Sequence, residues 1–140
     1  MRGLRTALIA LTMLFLAGAA EAQNMLDMDR AAIRDVITRQ LDAFQRDDAP
    51  RAFSFAAPNI QSMFGTPERF MDMVRQAYPA VHRPRTVDFT RLTDTDGVVQ
   101  EVELVGPDGT AQTALYSLER GPDGWRITGC TLVRSARIGV

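Results

Sequence analysis

Ile33, Val36, Ile37, Leu41 and Phe44 recur every three or four residues, with Arg34, Asp35, Arg39 and Asp42 between them. That spacing predicts an amphipathic helix. Asp27 and Asp29 supply N-cap oxygens and favourable charge at its start, so it is expected from about Asp29 to Arg46. Asp47-Asp48-Ala49-Pro50 stops it, and Pro50 opens a second, short helix through Arg51–Ala57. Pro58-Asn59 breaks that helix. Ile60–Phe64 is an apolar and polar mixture expected as a short strand or an extended loop, ended by Gly65. Thr66-Pro67-Glu68 is a helix start: a capping hydroxyl, a proline at the first helical position and an acid in the first turn. Phe70, Met71, Val74 and Ala77 or Tyr78 continue one face of this third helix, and Pro79 ends it.

From Val87 the period changes to two. Val87 and Phe89 alternate with Asp88 and Thr90. Asp96-Gly97 marks a hairpin. Val98, Val102 and Leu104 share one face of the next strand, and Glu101 and Glu103 the other. Gly106-Pro107-Asp108-Gly109 and Gly121-Pro122-Asp123-Gly124 repeat one turn tetrapeptide fifteen residues apart. Proline presets φ there, Asp accepts local hydrogen bonds and Gly takes positive φ. Thr110–Arg120 is therefore a strand with a hairpin at each end. Trp125–Val133 is the last strand, with Gly129 able to allow a bulge. Helices first and strands after predict an α+β domain, a four-stranded antiparallel meander covered on one face by helices.

The chain's first residues change the picture of where it works. Arg2 and Arg5 precede an uncharged apolar run, Thr6–Gly18, and Ala20-Glu21-Ala22 fits the small-x-small pattern of signal cleavage before Gln23. The run is shorter than the roughly 20 apolar residues of a membrane span. Residues 1–22 are expected to be a cleavable signal peptide and 23–140 a single domain, periplasmic or secreted, with no membrane span after signal removal. The formal net charge is −1, and loss of Arg2, Arg5 and Glu21 with the leader takes it to −2. Such a balance gives no electrostatic case for nucleic acid. All 16 basic residues are Arg, which excludes Schiff-base chemistry at lysine. Cys130 is alone, so it forms no internal disulfide. Its strand setting predicts a small buried side chain, with an intermolecular bridge or a reactive thiol as the alternatives.

Few residues suggest chemistry. Asp94, Asp96, Gly97 and Glu103 fall at positions of a calcium loop, but Leu92 stands where the first carboxylate belongs. One His and one Cys at wide separation make no usual zinc site. No metal and no cofactor is expected. No G-x-S-x-G surrounds any serine. A Cys130–His82 dyad lacks a helix N-terminus to acidify the thiol. For acid–base catalysis the weak candidates are His82, Asp42 and Asp88, with Tyr78 and Tyr116 also available. The only histidine, His82, lies in YPAVHRPR, residues Tyr78 to Arg85. Pro84 holds Arg83 extended, so Arg83 and Arg85 are expected to face one side and grip a carboxylate or phosphate. Internal ion pairs are the alternative. The stretch as a whole reads as a stiff helix-to-sheet connector.

FGTPERFMDMVRQAYPAVHRPRTVDF together with GWRITGCTLVR resembles a bacterial family known as domain of unknown function 4864, over about Ala32–Val133. The specific parts are Phe64-Gly65-Thr66-Pro67, Tyr78-Pro79, Arg83-Pro84-Arg85 and Gly129-Cys130. In that family a Tyr often stands where this chain has His82. The element order also resembles the cystatin-like roll of the nuclear-transport-factor-2-like superfamily. That resemblance implies a sheet bent around the first helix, leaving a cone that is open to a small apolar ligand in some members and filled in others. With the export signal and the lack of a catalytic motif, this leads to a non-catalytic small-molecule- or protein-binding module. Tyr78, His82, Arg83, Arg85 and Tyr116 are the expected ligand or partner residues. A small lyase- or isomerase-like enzyme, with acid–base residues in the cone, is the alternative. A homodimer through the exposed sheet face is the third expectation.

Overall fold

The computed structural model describes residues 3–135, so Arg2 of the expected leader lies outside the described residues. Helix α1 runs Gly3–Gln45, far longer than expected. Asp27 and Asp29 therefore lie inside it and cap nothing at its start. The reason is local: between Ala19 and Gln45 the chain holds no Pro or Gly, and Ala, Leu, Met, Gln, Glu and Arg recur, all good helix formers. Residues 1–32 and 33–140 form two compact units. The fold below is that of the second unit.

There α1 buries Ile33, Ile37, Gln40, Leu41 and Phe44, one stripe of a 3.6-residue period. It ends in a Schellman motif. Asp47 takes the left-handed conformation at φ 53°, and the N–H groups of Asp48 and Asp47 donate to the Ala43 and Phe44 carbonyls at 2.9 and 3.1 Å.

Helix α2 runs Ala49–Ser54, earlier than expected, because the Asp48 carboxylate caps it by accepting from the Arg51 N–H. Phe55–Ala57 leaves the helix to pair with the sheet: Ile127 N–H donates to the Phe55 carbonyl at 2.9 Å and Ala57 N–H to the Ile127 carbonyl at 2.8 Å. Ile60–Phe64 is neither strand nor loop. It belongs to α3, Pro58–Phe64, with Pro58 at a first-turn position and Gly65 at φ 76° closing it. Pro58 starts a helix rather than only breaking one. Helix α4, Pro67–Ala77, begins as expected, with Thr66 Oγ1 accepting from the Arg69 N–H. Pro79 again opens a helix, the single turn α5, Pro79–His82. The extended connector shrinks to Arg83–Arg85.

The sheet is the expected meander, order β1-β2-β3-β4, all antiparallel: β1 Thr86–Asp94, β2 Val98–Val105, β3 Ala111–Gly121 and β4 Gly124–Arg134. The fold is α+β. Register shifts in β1 between Phe89 and Leu92, and against β4 where Ser117 meets Gly129 but Leu118 meets Ile127. Thr128 is thus the extra residue of a bulge beside Gly129. The register sets Leu92, Gln100, Tyr116 and Cys130 in one row across the four strands. Val102, Leu104, Ala114 and Ile127 extend the same face and are buried with the helices in one core. Among the described residues, no helix is long and apolar enough to cross a membrane.

Candidate functional site

Phe70 of α4 is the centre of an aromatic cluster. Its ring centroid lies 5.8 Å from that of Phe44, 5.4 Å from Phe53 and 5.6 Å from Phe64. Those separations suit tilted and edge-to-face ring pairs. The cluster fills the space between α1, α2 and α4. Beyond it, toward β4, a cavity of about 240 Å³ remains.

Each element contributes to its wall for a local reason. Helix α3 brings Ile60, Met63 and Phe64, and is pinned there by side chains. Gln61 Nε2 donates to the Phe53 and Ala56 carbonyls, and Asn59 Nδ2 to the Thr128 carbonyl at 3.3 Å. Helix α4 brings Met73 and Val74, with Tyr78 at its end. The bulge in β4 places Thr128 and Gly129 at the opposite wall, next to Cys130 and Tyr116. Met63 is 73% exposed and stands at the rim. Gln40 closes the α1 side, its Nε2 donating to the Ala52 carbonyl at 3.1 Å.

Tyr116 is fully buried, yet no hydrogen bond satisfies its Oη. The Cys130 thiol lies beside it, paired across β3 and β4, without completing a bond of ordinary geometry. Burial pushes both groups toward their protonated forms: the Tyr116 phenol well above its usual range and the Cys130 thiol up to about 12. Both are neutral at physiological pH. No charged side chain is found among the described lining residues.

The expected binding set therefore divides. Tyr78 and Tyr116 line the cavity. His82 and Arg83 meet at a different place, on Asp47. His82 Nε2 is 2.8 Å from Asp47 Oδ1, a guanidinium nitrogen of Arg83 is 2.7 Å from Oδ2, and one of Arg75 is 3.1 Å from Oδ1. The hydrogen bonds from His82 and Arg75, with the charge of Arg83, hold the Asp47 carboxyl down to about 2. Arg85 turns to another neighbour. Its guanidinium stands by Gly109 and its charge acts on Asp108 in the β2–β3 turn. Asp42 pairs with Arg46 at 3.1 Å, and Asp88 lies on the helix-free face of β1. Neither they nor His82 line the cavity. Among the described residues no three His, Cys, Asp or Glu side chains gather as a metal site would need.

A family model described as a domain of unknown function, DUF4864, matches residues 26–140. The chain belongs to the DUF4864 family. No curated protein matches it. Every cavity residue of this DUF4864 protein falls inside the matched span. Sequence reasoning did not single out Met63, Phe64, Met73 or Asp47 as site residues. Met73 stands three residues after Phe70, a helical neighbour, and that spacing was the available signal.

Proposed function

We propose that this DUF4864 protein is an exported, non-catalytic binding module that takes a small apolar molecule into the cavity between α3, α4 and β4. The observation that carries this is the cavity: about 240 Å³, walled by Phe, Met, Val and Ile side chains and free of charge among the described lining residues. An apolar cavity of about 150 Å³ already holds benzene, so this one has room for a ring with a substituent. Met63 and Met73 supply a flexible wall that adapts to ligand shape.

A lyase or isomerase reading needs a group near neutral pKa beside the substrate. Of the described lining residues, the Tyr116 phenol and the Cys130 thiol are both pushed toward their protonated forms, while His82, Asp42 and Asp88 sit elsewhere. Binding is therefore the favoured reading. The helix-then-meander layout supports placing the fold in the cystatin-like roll of the nuclear-transport-factor-2-like superfamily. Export rests on the order basic, apolar, small-x-small over residues 1–22. Buried core residues begin at Ile33 among those described, so cleavage after Ala22 takes away none of them. A second copy on the helix-free sheet face, where Val133 is 40% exposed, is checked by sedimentation at micromolar concentration.

The binding reading is tested by methyl NMR on methionine-labelled protein titrated with toluene. Met63 and Met73 resonances are expected to move, while that of Met71, buried outside the cavity lining, stays. Saturating toluene without movement of either rim methionine sinks the reading. Native mass spectrometry of protein purified from its own cells, showing a bound mass of small-molecule size, supports it directly.

A further inference from the structure

The cavity wall is mostly apolar, and its polar side chains are those of Gln40, Tyr78, Tyr116 and Thr128, with the Cys130 thiol beside them. Gln40 spends its amide nitrogen on the Ala52 carbonyl, and the Thr128 carbonyl already accepts from Asn59. The Tyr116 hydroxyl is buried with the Cys130 thiol beside it and no hydrogen bond of ordinary geometry. A buried hydroxyl left unpaired costs about 1–3 kcal/mol, so this one weakens the free protein unless something else uses it. Phenylalanine would fill the same space without that cost.

From this we infer that the ligand is a neutral molecule of one ring or a short acyl chain, carrying a carbonyl or ether oxygen that accepts the Tyr116 hydroxyl proton. This rests on the binding reading above and adds the ligand's chemistry. Neutrality follows from the lining: an ionised group would enter a space with no counter-charge among its described walls, and desolvation opposes that strongly. An acceptor, not a donor, is selected because, among the described lining side chains, the Tyr116 hydroxyl is the buried polar group that no hydrogen bond satisfies. The hydroxyl is covered in the free protein, and Cys130 lies against it. For a ligand oxygen to reach it, the Cys130 side chain has to turn aside, and the Tyr116 resonance followed below reports whether it does.

A second partnerless atom, Gln100 Oε1, sits on the paired position of β2. Its amide nitrogen is fixed by the Arg91 and Glu101 carbonyls at 3.3 and 2.9 Å. One bridging water between Gln100 and Tyr116 is thus the competing use of the hydroxyl.

Titration of wild type and Tyr116→Phe with acetophenone and with α-methylstyrene, which replaces the carbonyl oxygen by a methylene, separates these. Loss of the hydroxyl is expected to weaken acetophenone about fivefold, the worth of one hydrogen bond, and to change α-methylstyrene less than twofold. In wild type, the Tyr116 ¹³Cζ resonance is expected to move with acetophenone and not with α-methylstyrene, which keeps the test valid should the variant fold poorly. Equal effects on both probes, or none on either, overturn the inference and leave the cavity reading standing. Failure of both probes to bind wild type overturns both.

Discussion

His82 Nε2 lies 2.8 Å from the carboxylate of Asp47, a residue 35 positions earlier. The pair ties the end of α1 to the end of α5, and Arg75 from α4 joins it at 3.1 Å. The cluster gathers on Asp47, which has φ 53° and whose carboxylate meets Arg75, His82 and Arg83.

Acid is expected to undo this clasp. Asp47 ordinarily titrates at 3.8 and is held at about 2 in the fold. Below its usual pKa the unfolded chain takes up the proton more readily, so the clasp's contribution is whole above about pH 4 and is lost as pH falls through 2. Asp47→Asn tolerates the left-handed backbone and removes the charge. Its melting temperature is expected to lie below wild type at pH 6, with the gap closing toward pH 2. A gap that stays constant over that range means the carboxylate charge is not what holds the ends together.

The legible parts of this fold were those written in adjacent residues. Thr66-Pro67-Glu68 starts α4 as read, because cap oxygen, ring and acid act within one turn. The two GPDG turns and Asp96-Gly97 place the hairpins, and Gly129 marks the β4 bulge. Helix α3 escaped because seven residues are less than two turns, too few for a period to show. Arg83 and Arg85 were expected to act together, since an extended backbone points i and i+2 one way. Asp47 bonds the Arg83 guanidinium, while that of Arg85 stands near Gly109 in the β2–β3 turn, so the two guanidiniums separate. The cavity needs the pairing of Tyr116 with Cys130 and the packing of α3 on β4, both long-range, and neither leaves a local trace.

Phe70 should be among the costliest single positions. It is buried and contacts three other rings. Phe70→Ala is expected to cost about 3–5 kcal/mol in urea unfolding, from lost transfer energy and the void left among those rings. A cost below about 1 kcal/mol contradicts the packing described.

Cys130 is expected to be a poor nucleophile despite lining a cavity. With its pKa at about 12, roughly one molecule in ten thousand carries the thiolate at pH 8, against about a quarter for a free thiol near 8.5. Reaction with a disulfide reagent at pH 8 should run about a thousandfold slower than for free cysteine and recover in concentrated guanidinium. A folded-state rate near that of free cysteine contradicts a buried thiol and favours an exposed, reactive one.

The two arginines of the connector should behave independently. Arg83 bonds Asp47 directly, while Arg85 acts at the β2–β3 turn. Arg83→Ala is expected to lower the melting temperature of wild type and to do little in the Asp47→Asn background, because the shared partner is gone. Arg85→Ala should have the same effect in both backgrounds, since residues without common partners contribute additively. Inorganic phosphate distinguishes the alternative. If the pair grips one anion, phosphate raises the melting temperature of wild type and neither single variant responds. If Arg83 is held by Asp47 and Arg85 stands apart at the β2–β3 turn, phosphate leaves all three proteins unchanged, which is the expected result.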